Sequence, residues 1–398
     1  MSAEPHPPEG ERSRAPESGA EATAPGRGAP PPAPGGPLAG PLIDVEHLKV
    51  FFPIKKGLVI DREVSRVHAV NDVTLAVGPG ETMGLVGESG CGKTTISRAI
   101  MRLVDPTEGR ISFRGDDITS AGRKQMQPLR RQMQMVFQDP FASLNPRKRV
   151  VQIIGQPLRL HGTARNQVAG RVEELLTLVG LQREHLNRYP HEFSGGQRQR
   201  IGVARALALE PRLIVLDEPV SALDVSVQAQ IINLLDDLQD AFGLTYLFVA
   251  HDLSVVRHVS DRIAVMYLGK LMEVSRSEEL YTKPIHPYTS ALLAAIPIPD
   301  PAENRRRERI VVSGEPPNPI DPPSGCVFHP RCPRATEVCR EIEPPLARYA
   351  DGHLAACHHP LNVSADEVRA AVKDDASPLS AGDELPSAAA AGGAATPG

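Results

Sequence analysis

The sequence predicts an α/β fold with one large domain over residues 42–284, a small loop-rich module over residues 285–360, and disordered tails at residues 1–41 and 361–398. Three observations predict it: apolar runs that alternate with amphipathic helical stretches, a shift to Pro, Cys and His after residue 285, and ends almost empty of large apolar side chains. The first tail is Pro, Gly, Ala and Glu, too poor in apolar surface to offset the entropy of ordering. In the large domain, β-like runs at 82–86, 213–216 and 244–249 alternate with helical patterns such as 94–103 and 226–241. That alternation predicts a mainly parallel sheet with helices on its faces. In the module, Pro284, Pro287, Pro297, Pro299 and Pro301 exclude a long helix, because proline lacks the amide and crowds the preceding turn. Beyond Asn362, one short helical pattern at 365–372 precedes a tail of Ala, Gly and Ser.

Composition removes several classes of function. A net charge of -4 over 398 residues gives no cationic excess to neutralise a nucleic-acid backbone, so nucleic acid is not an expected partner. No window of eighteen apolar residues spans a bilayer, and the first residues lack the basic and apolar blocks of a secretory signal, so the chain is expected in the cytosol. Five cysteines in a reducing compartment are expected as thiols, available for metal or redox chemistry, rather than as a disulfide scaffold.

Gly87-Glu88-Ser89-Gly90-Cys91-Gly92-Lys93-Thr94 has phosphate-loop spacing, follows an apolar run and opens a helical pattern. Its backbone amides can converge on phosphate oxygens, Lys93 supplies positive charge, and the Thr94 hydroxyl can ligate Mg²⁺. The bland alternative is a glycine-rich strand-to-helix turn. Cys91 reads as a small space-filler, although a helix start lowers a thiol pKa. The apolar run ending in Asp217-Glu218 places two acids where a metal and an attacking water would need them; solvated carboxylates at a strand end are the alternative. A third run ends at Ala250-His251-Asp252, where His251 would sense a γ-phosphate or serve structure alone.

Phe193-Ser194-Gly195-Gly196-Gln197-Arg198-Gln199-Arg200 resembles the signature motif of ABC transporter ATPases. Around it, in that family's order, stand the phosphate loop, Val136-Phe137-Gln138-Asp139-Pro140, the Asp217-Glu218 strand, Ser221-Ala222-Leu223-Asp224 and His251. The resemblance covers roughly residues 42–360 and implies an ABC cassette, with a mixed sheet core and a helical subdomain, that binds ATP with Mg²⁺ and hydrolyses it. It implies further that two cassettes sandwich two nucleotides, with Ser194, Gly195, Gly196 and Gln197 of one facing the phosphate loop, Thr94 and Thr95 of the other. By the same resemblance Glu218 polarises the water, Gln138 joins the Mg²⁺ to the surface that meets membrane subunits, and Asp224 communicates across the dimer. Phe51 or Phe52 is the candidate for stacking on adenine, with residues 53–66 read as an insert between them and the strand at 67–75; core packing is the alternative.

Longer stretches, residues 137–147, 217–230 and 251–256 together with His286-Pro287-Tyr288-Thr289, resemble the ATPases of oligopeptide and dipeptide importers. That kinship implies a peripheral protein on the cytoplasmic face of the membrane, two permease subunits, a second cassette that is either a related chain or a copy of this one, and indirectly an extracytoplasmic substrate-binding protein. Nickel and oligosaccharide importers share the layout, and a soluble ABC ATPase is the remaining alternative; the second cassette or long coiled coil usual in that group is missing from the sequence.

Cys326, Cys332, Cys339 and Cys357, separated by five, six and seventeen residues, have the donor chemistry for one tetrahedral centre, and spacing does not choose its occupant. Resemblance to cluster-bearing peptide-importer ATPases ranks a 4Fe-4S cluster first, Zn²⁺ second and free thiols third. His329, His353, His358 and His359 are reserve ligands, and the basic run 305–309 reads as a solvated linker.

Overall fold

A parallel strand is covered on both faces, and residues 82–86 and 213–217 are buried at every position. The computed structural model describes residues 40–56, 62–139, 143–296, 314–349 and 352–373. Most of both tails, Pro297, Pro299 and Pro301, the basic run 305–309, and residues 140–142 of the glutamine segment lie outside the described residues.

The strands are β1 (Ile43–Lys56), β2 (Arg62–Val77), β3 (Thr82–Val86), β4 (Glu108–Phe113), β5 (Asp116–Asp117), β6 (Met133–Val136), β7 (Leu213–Asp217), β8 (Thr245–Ala250), β9 (Arg262–Tyr267), β10 (Lys270–Arg276), β11 (Ala347–Arg348) and β12 (Leu354–Ala355). They form two sheets, ordered β2-β1-β4-β5 and β11-β12-β10-β9-β3-β8-β7-β6. In the larger sheet β6, β7, β8, β3 and β9 run parallel, while β10, β12 and β11 are added antiparallel. The smaller sheet is wholly antiparallel, so the expectation of a mainly parallel sheet holds for the centre alone. The described parts of the expected insert continue the two strands instead: Pro53 pairs with Arg66 and Ile54 with Ser65, so residues 53–56 and 62–66 belong to β1 and β2, and residues 57–61 lie outside the described residues.

The helices are α1 (Lys93–Ile100), α2 (Arg123–Gln132), α3 (Val150–Leu160), α4 (Arg165–Leu178), α5 (Gly195–Leu207), α6 (Val225–Phe242), α7 (Leu253–Val259), α8 (Ser277–Thr282), α9 (Pro287–Ala295), α10 (Glu337–Glu341) and α11 (Ala365–Lys373). The pattern at 94–103 overshoots α1, because Arg102 adopts a left-handed φ of 52° and Leu103 donates back to the Arg98 carbonyl, closing the helix end. One apolar core lies between the two sheets, where Leu75, Met83, Leu85, Ile96 and Val215 pack. The other lies on the opposite face, where α3, α4 and α5 contribute Ile154, Val172 and Ile201. Among the described residues no helix is long and apolar enough to cross a membrane.

The cysteine-bearing segment is built into this second core. Phe328 is fully buried, with ring centroids 5.3 Å from Tyr267 and 5.2 Å from Tyr288. β12 pairs with β10 through Glu273–Ala355 and Val274–Leu354. The carboxylate of Glu273, itself fully buried, accepts from the amides of Ile285 (2.7 Å) and His286 (2.9 Å) and lies 2.6 Å from His353 Nε2. A buried carboxylate persists when its lone pairs are satisfied in this way.

Candidate active site

The carboxyl ends of β3, β7 and β8, adjacent in the parallel sheet, carry residues 87–94, Asp217-Glu218 and His251. This is where open α/β sheets place ligands. Gly87 and Gly92 are required there by close approach. A Cβ on Gly92 would stand 2.1 Å from the Ala69 carbonyl oxygen, at a φ of 110°, and one on Gly87 would stand 2.1 Å from the Met266 carbonyl oxygen. The loop is thereby seated on the backbones of β2 and β9. Ser89 and Gly90 are exposed at its tip.

Lys93, almost fully buried at the start of α1, donates to the carbonyls of Gly87 (2.7 Å) and Glu88 (3.0 Å). Its ammonium is thus already inside the loop. Thr94 donates its hydroxyl to Asp217 Oδ1 at 3.1 Å, so the two expected Mg²⁺ residues meet; Thr95 follows on α1. Burial pushes the Asp217 carboxyl above the ordinary carboxylate range, opposed by that hydroxyl. Burial likewise raises the Cys91 thiol, outweighing Lys93 and the helix start, which supports the space-filling role.

Glu218 takes a left-handed φ of 46° and donates its amide to Val249 on β8. Such strained backbone persists where the surroundings over-determine it, commonly at active sites. The turn leaves its carboxylate between two partners: Gln138 Nε2 donates to Oε2 at 2.8 Å, and His251 Nδ1 lies 3.4 Å from the same oxygen. Gln138 and His251 are both exposed, while Glu218 is half-buried. The three residues expected to be catalytic from sequence therefore form one cluster.

The signature residues belong to a different element. Ser194 caps α5, its hydroxyl accepting the Gln197 amide at 3.3 Å while Gln197 accepts the Ser194 amide at 3.1 Å. A Cβ on Gly195 would meet Leu223 at 3.2 Å and one on Gly196 would meet Val227 at 2.4 Å, so the α5 start packs against the turn that leads through Asp224 into α6. Ser194 and Asp224 are both exposed. Phe51 pairs with His68 across the β1–β2 hairpin and stacks on its ring, centroids 4.4 Å apart.

The cysteine module departs from expectation. Among the described residues no three His, Cys, Asp or Glu side chains converge as a metal-holding group. Cys326 donates its amide to the Cys339 carbonyl at 2.8 Å, which binds the two chain segments by backbone, while the Cys339 thiol lies 3.7 Å from the Thr336 hydroxyl. Burial pushes the Cys326 thiol up to about 11 and that of Cys357 up to about 12, with Cys332 and Cys339 adding to both. The histidines are engaged elsewhere: His353 with Glu273, His358 with the Ile342 carbonyl, His329 with the Cys326 carbonyl and His359 with Thr336.

One contact had no sequence signal. Arg331, beside Cys332, donates to both carboxylate oxygens of Glu88 in the phosphate loop, at 2.8 and 3.1 Å, and to the Tyr267 hydroxyl at 3.2 Å. The Glu88 amide donates to the Tyr288 hydroxyl at 3.1 Å.

A family profile described as ABC transporter matches residues 70–221, and one described as the C-terminal region of oligopeptide/dipeptide transporters matches residues 272–339. The oligopeptide transport ATP-binding protein AppF of Bacillus subtilis is 54% identical over 322 residues, covering 80% of this chain and 97% of its own length. The chain belongs to the ATP-binding proteins of the oligopeptide ABC transporters. A second member, OppF of Salmonella typhimurium, is 51% identical over 308 residues, 77% of this chain and 92% of its own. Among solved structures, an ATP-binding cassette captured as a dimer in a post-hydrolysis state with ADP and Pi matches with a TM-score of 0.52 and 27% identity, over 59% of this chain and 98% of that one. A component of the cbiONQ ABC transporter complex of Clostridium perfringens matches at 0.53 and 26%, over 61% and 91%. As a member of this family, the chain carries an ABC ATPase domain on a P-loop cassette fold.

Proposed function

We infer that the chain is the ATP-hydrolysing subunit of an importer of di- and oligopeptides. The observation that carries the reading is the convergence of Gln138 and His251 on Glu218, one residue beyond the Thr94–Asp217 pair. Glu218 accepts a proton from, or orients, the attacking water; Gln138 and His251 hold its carboxylate, and His251 lies on the strand end nearest the expected γ-phosphate. Lys93 exchanges its carbonyl partners for β and γ phosphate oxygens. Mg²⁺, when bound, neutralises charge on those oxygens, and Thr94 and Asp217 are the residues fitted to hold it, Gln138 adjoining them through Glu218. Phe51 supplies an apolar ring for adenine, backed by His68.

Two copies, or this chain and a related one, complete each site, the α5 start of one, exposed at Ser194, offering Ser194, Gly195 and Gly196 to nucleotide on the other. The dimeric related cassette supports this arrangement. A groove of about 390 Å³ beside Gln138, lined by Leu103, Phe137, Ile153 and Leu160, suits an apolar helix end from a permease subunit; Phe137, Leu103 and Leu160 are exposed there. Membrane attachment on the cytoplasmic face follows from that docking. Peptide as cargo rests on the relatives' names, with nickel or oligosaccharide as the outcomes that a transport assay with reconstituted permease would otherwise return.

A 4Fe-4S cluster, with Zn²⁺ second, is the proposed occupant of Cys326, Cys332, Cys339 and Cys357 on their donor chemistry alone, since no ligand set converges among the described residues. Iron and zinc assay of anaerobically purified protein decides it, and absence of both removes it. The catalytic reading is tested by Glu218→Gln: turnover should fall by about a thousandfold or more with ATP affinity retained, and unchanged hydrolysis would overturn it.

A further inference from the structure

Glu88, second residue of the phosphate loop, is held from three sides. Its amide is bound by Tyr288, its carboxylate by Arg331, and its carbonyl by Lys93 and by the Cys91 amide of the same loop. Two of the four holders come from beyond residue 285, one of them 243 residues away in sequence. Neither is loosely placed. Tyr288 is fully buried, and the Arg331 side chain is 9% exposed, its guanidinium 5.7 Å from the Tyr267 ring centroid. Phe328, three residues before Arg331, fixes the same loop by filling the space between Tyr267 and Tyr288.

We propose that the C-terminal module is a positioning element of the nucleotide site: Arg331 and Tyr288 hold Glu88, and with it the phosphate loop, in the conformation that receives ATP. The proposal rests on the reading of residues 87–94 as the nucleotide loop. Its physical basis is preorganisation. A loop whose amides must all point at one phosphate binds with an apparent affinity reduced by whatever fraction of time it spends in other conformations. A charge-assisted bond from one guanidinium nitrogen, Arg331 Nη1, shared by both Glu88 oxygens in a half-buried setting, narrows that ensemble more than a surface ion pair does. The Lys93 bonds to Gly87 and Glu88 must break when the ammonium turns to phosphate, and at that moment Arg331 and Tyr288 are the side chains from outside the loop that keep Glu88 in place, beside the Cys91 amide within it. Arg331 touches neither the phosphate-bearing tip nor the reacting atoms, so its effect belongs on affinity rather than on the chemical step.

The test uses the full chain, with affinity read from a fluorescent ATP analogue and steady-state ATPase kinetics alongside. Arg331→Ala should raise Kd and KM for ATP about tenfold, with kcat within about twofold, the loss of a hydrogen bond to a charged group. Arg331→Lys should recover part of the loss, and Tyr288→Phe should give a smaller rise. With Glu88→Gln, the Arg331→Ala double variant should be no weaker than the weaker single variant. A merely structural role would lower thermal stability or the active fraction at unchanged KM. Affinity within about twofold of the parent in Arg331→Ala and Tyr288→Phe, or strict additivity in the cycle, would overturn the proposal. Should Arg331→Ala not fold, Arg331→Lys and Tyr288→Phe decide the matter by the same criterion. Lys93→Ala separates the two readings, because parental nucleotide affinity in that variant would sink the nucleotide-loop assignment itself.

Discussion

Single residues at the sheet's carboxyl edge divide their work by partner. Glu218 is turned out of its strand by a left-handed backbone, and His251 meets the carboxylate oxygen that Gln138 also holds. Replacing His251 by Ala leaves the Glu218 carboxylate with Gln138 as its partner. The expected result is a fall in kcat of roughly a hundredfold with nucleotide affinity little changed, measured by phosphate release under saturating ATP. A fall in affinity with kcat intact would move His251 from the chemical step to binding. These residues were legible in sequence because each sits at a fixed offset from a short apolar run: the loop after 82–86, the acids after 213–216, the histidine after 244–249. Residue type and offset together state the chemistry. What they do not state is the company a side chain keeps, and Phe51 illustrates it: the ring was visible, while its stacking on His68 depends on a hairpin register set by many pairings.

Elements read less evenly than residues. The parallel centre announced itself through fully apolar runs, and α6 through its amphipathic period, observed at Val225–Phe242 against a pattern at 226–241. The antiparallel sheet was hidden because β1 and β2 pair with bulges that break strict alternation. The start of α9 carries a property that pattern alone hides. His286 caps it, its Nδ1 accepting the Tyr288 amide at 3.0 Å, which requires that nitrogen to be unprotonated. Burial holds the ring's pKa down to about 4, outweighing the attraction of Glu273. The unfolded chain therefore takes up this proton first, near the ordinary value of about 6.5. The cap's full contribution is present above that pH, and is lost as pH falls from about 6.5 toward 4, by about 1.4 kcal/mol per pH unit. Thermal melts across that window should fall more steeply for the parent than for His286→Asn, whose amide oxygen caps without titrating; identical slopes would remove His286 as the cause.

At the scale of the whole molecule, the cysteine module and the cassette share one core, since Phe328 packs on Tyr267 of β9 and Tyr288 of α9 while β12 extends the main sheet. Phe328→Ala should cost about 3–5 kcal/mol, the usual range for emptying a buried aromatic site. The loss should appear as one cooperative transition moved to lower temperature, by calorimetry and by near-ultraviolet dichroism alike. Two resolved transitions would mean that the module unfolds by itself. Composition marked the module as separate because its prolines and cysteines differ from what precedes them; contacts between residues far apart in the chain carry no local periodicity, so the shared core was not readable. A consequence follows for biosynthesis. Glu273 emerges from the ribosome 80 residues before His353, and β10 before the strand that covers its outer edge. A polypeptide ended before His353 would carry an open sheet margin and a carboxylate short of its third partner, so the nascent cassette reaches its final state only after residues 353–355 have been made.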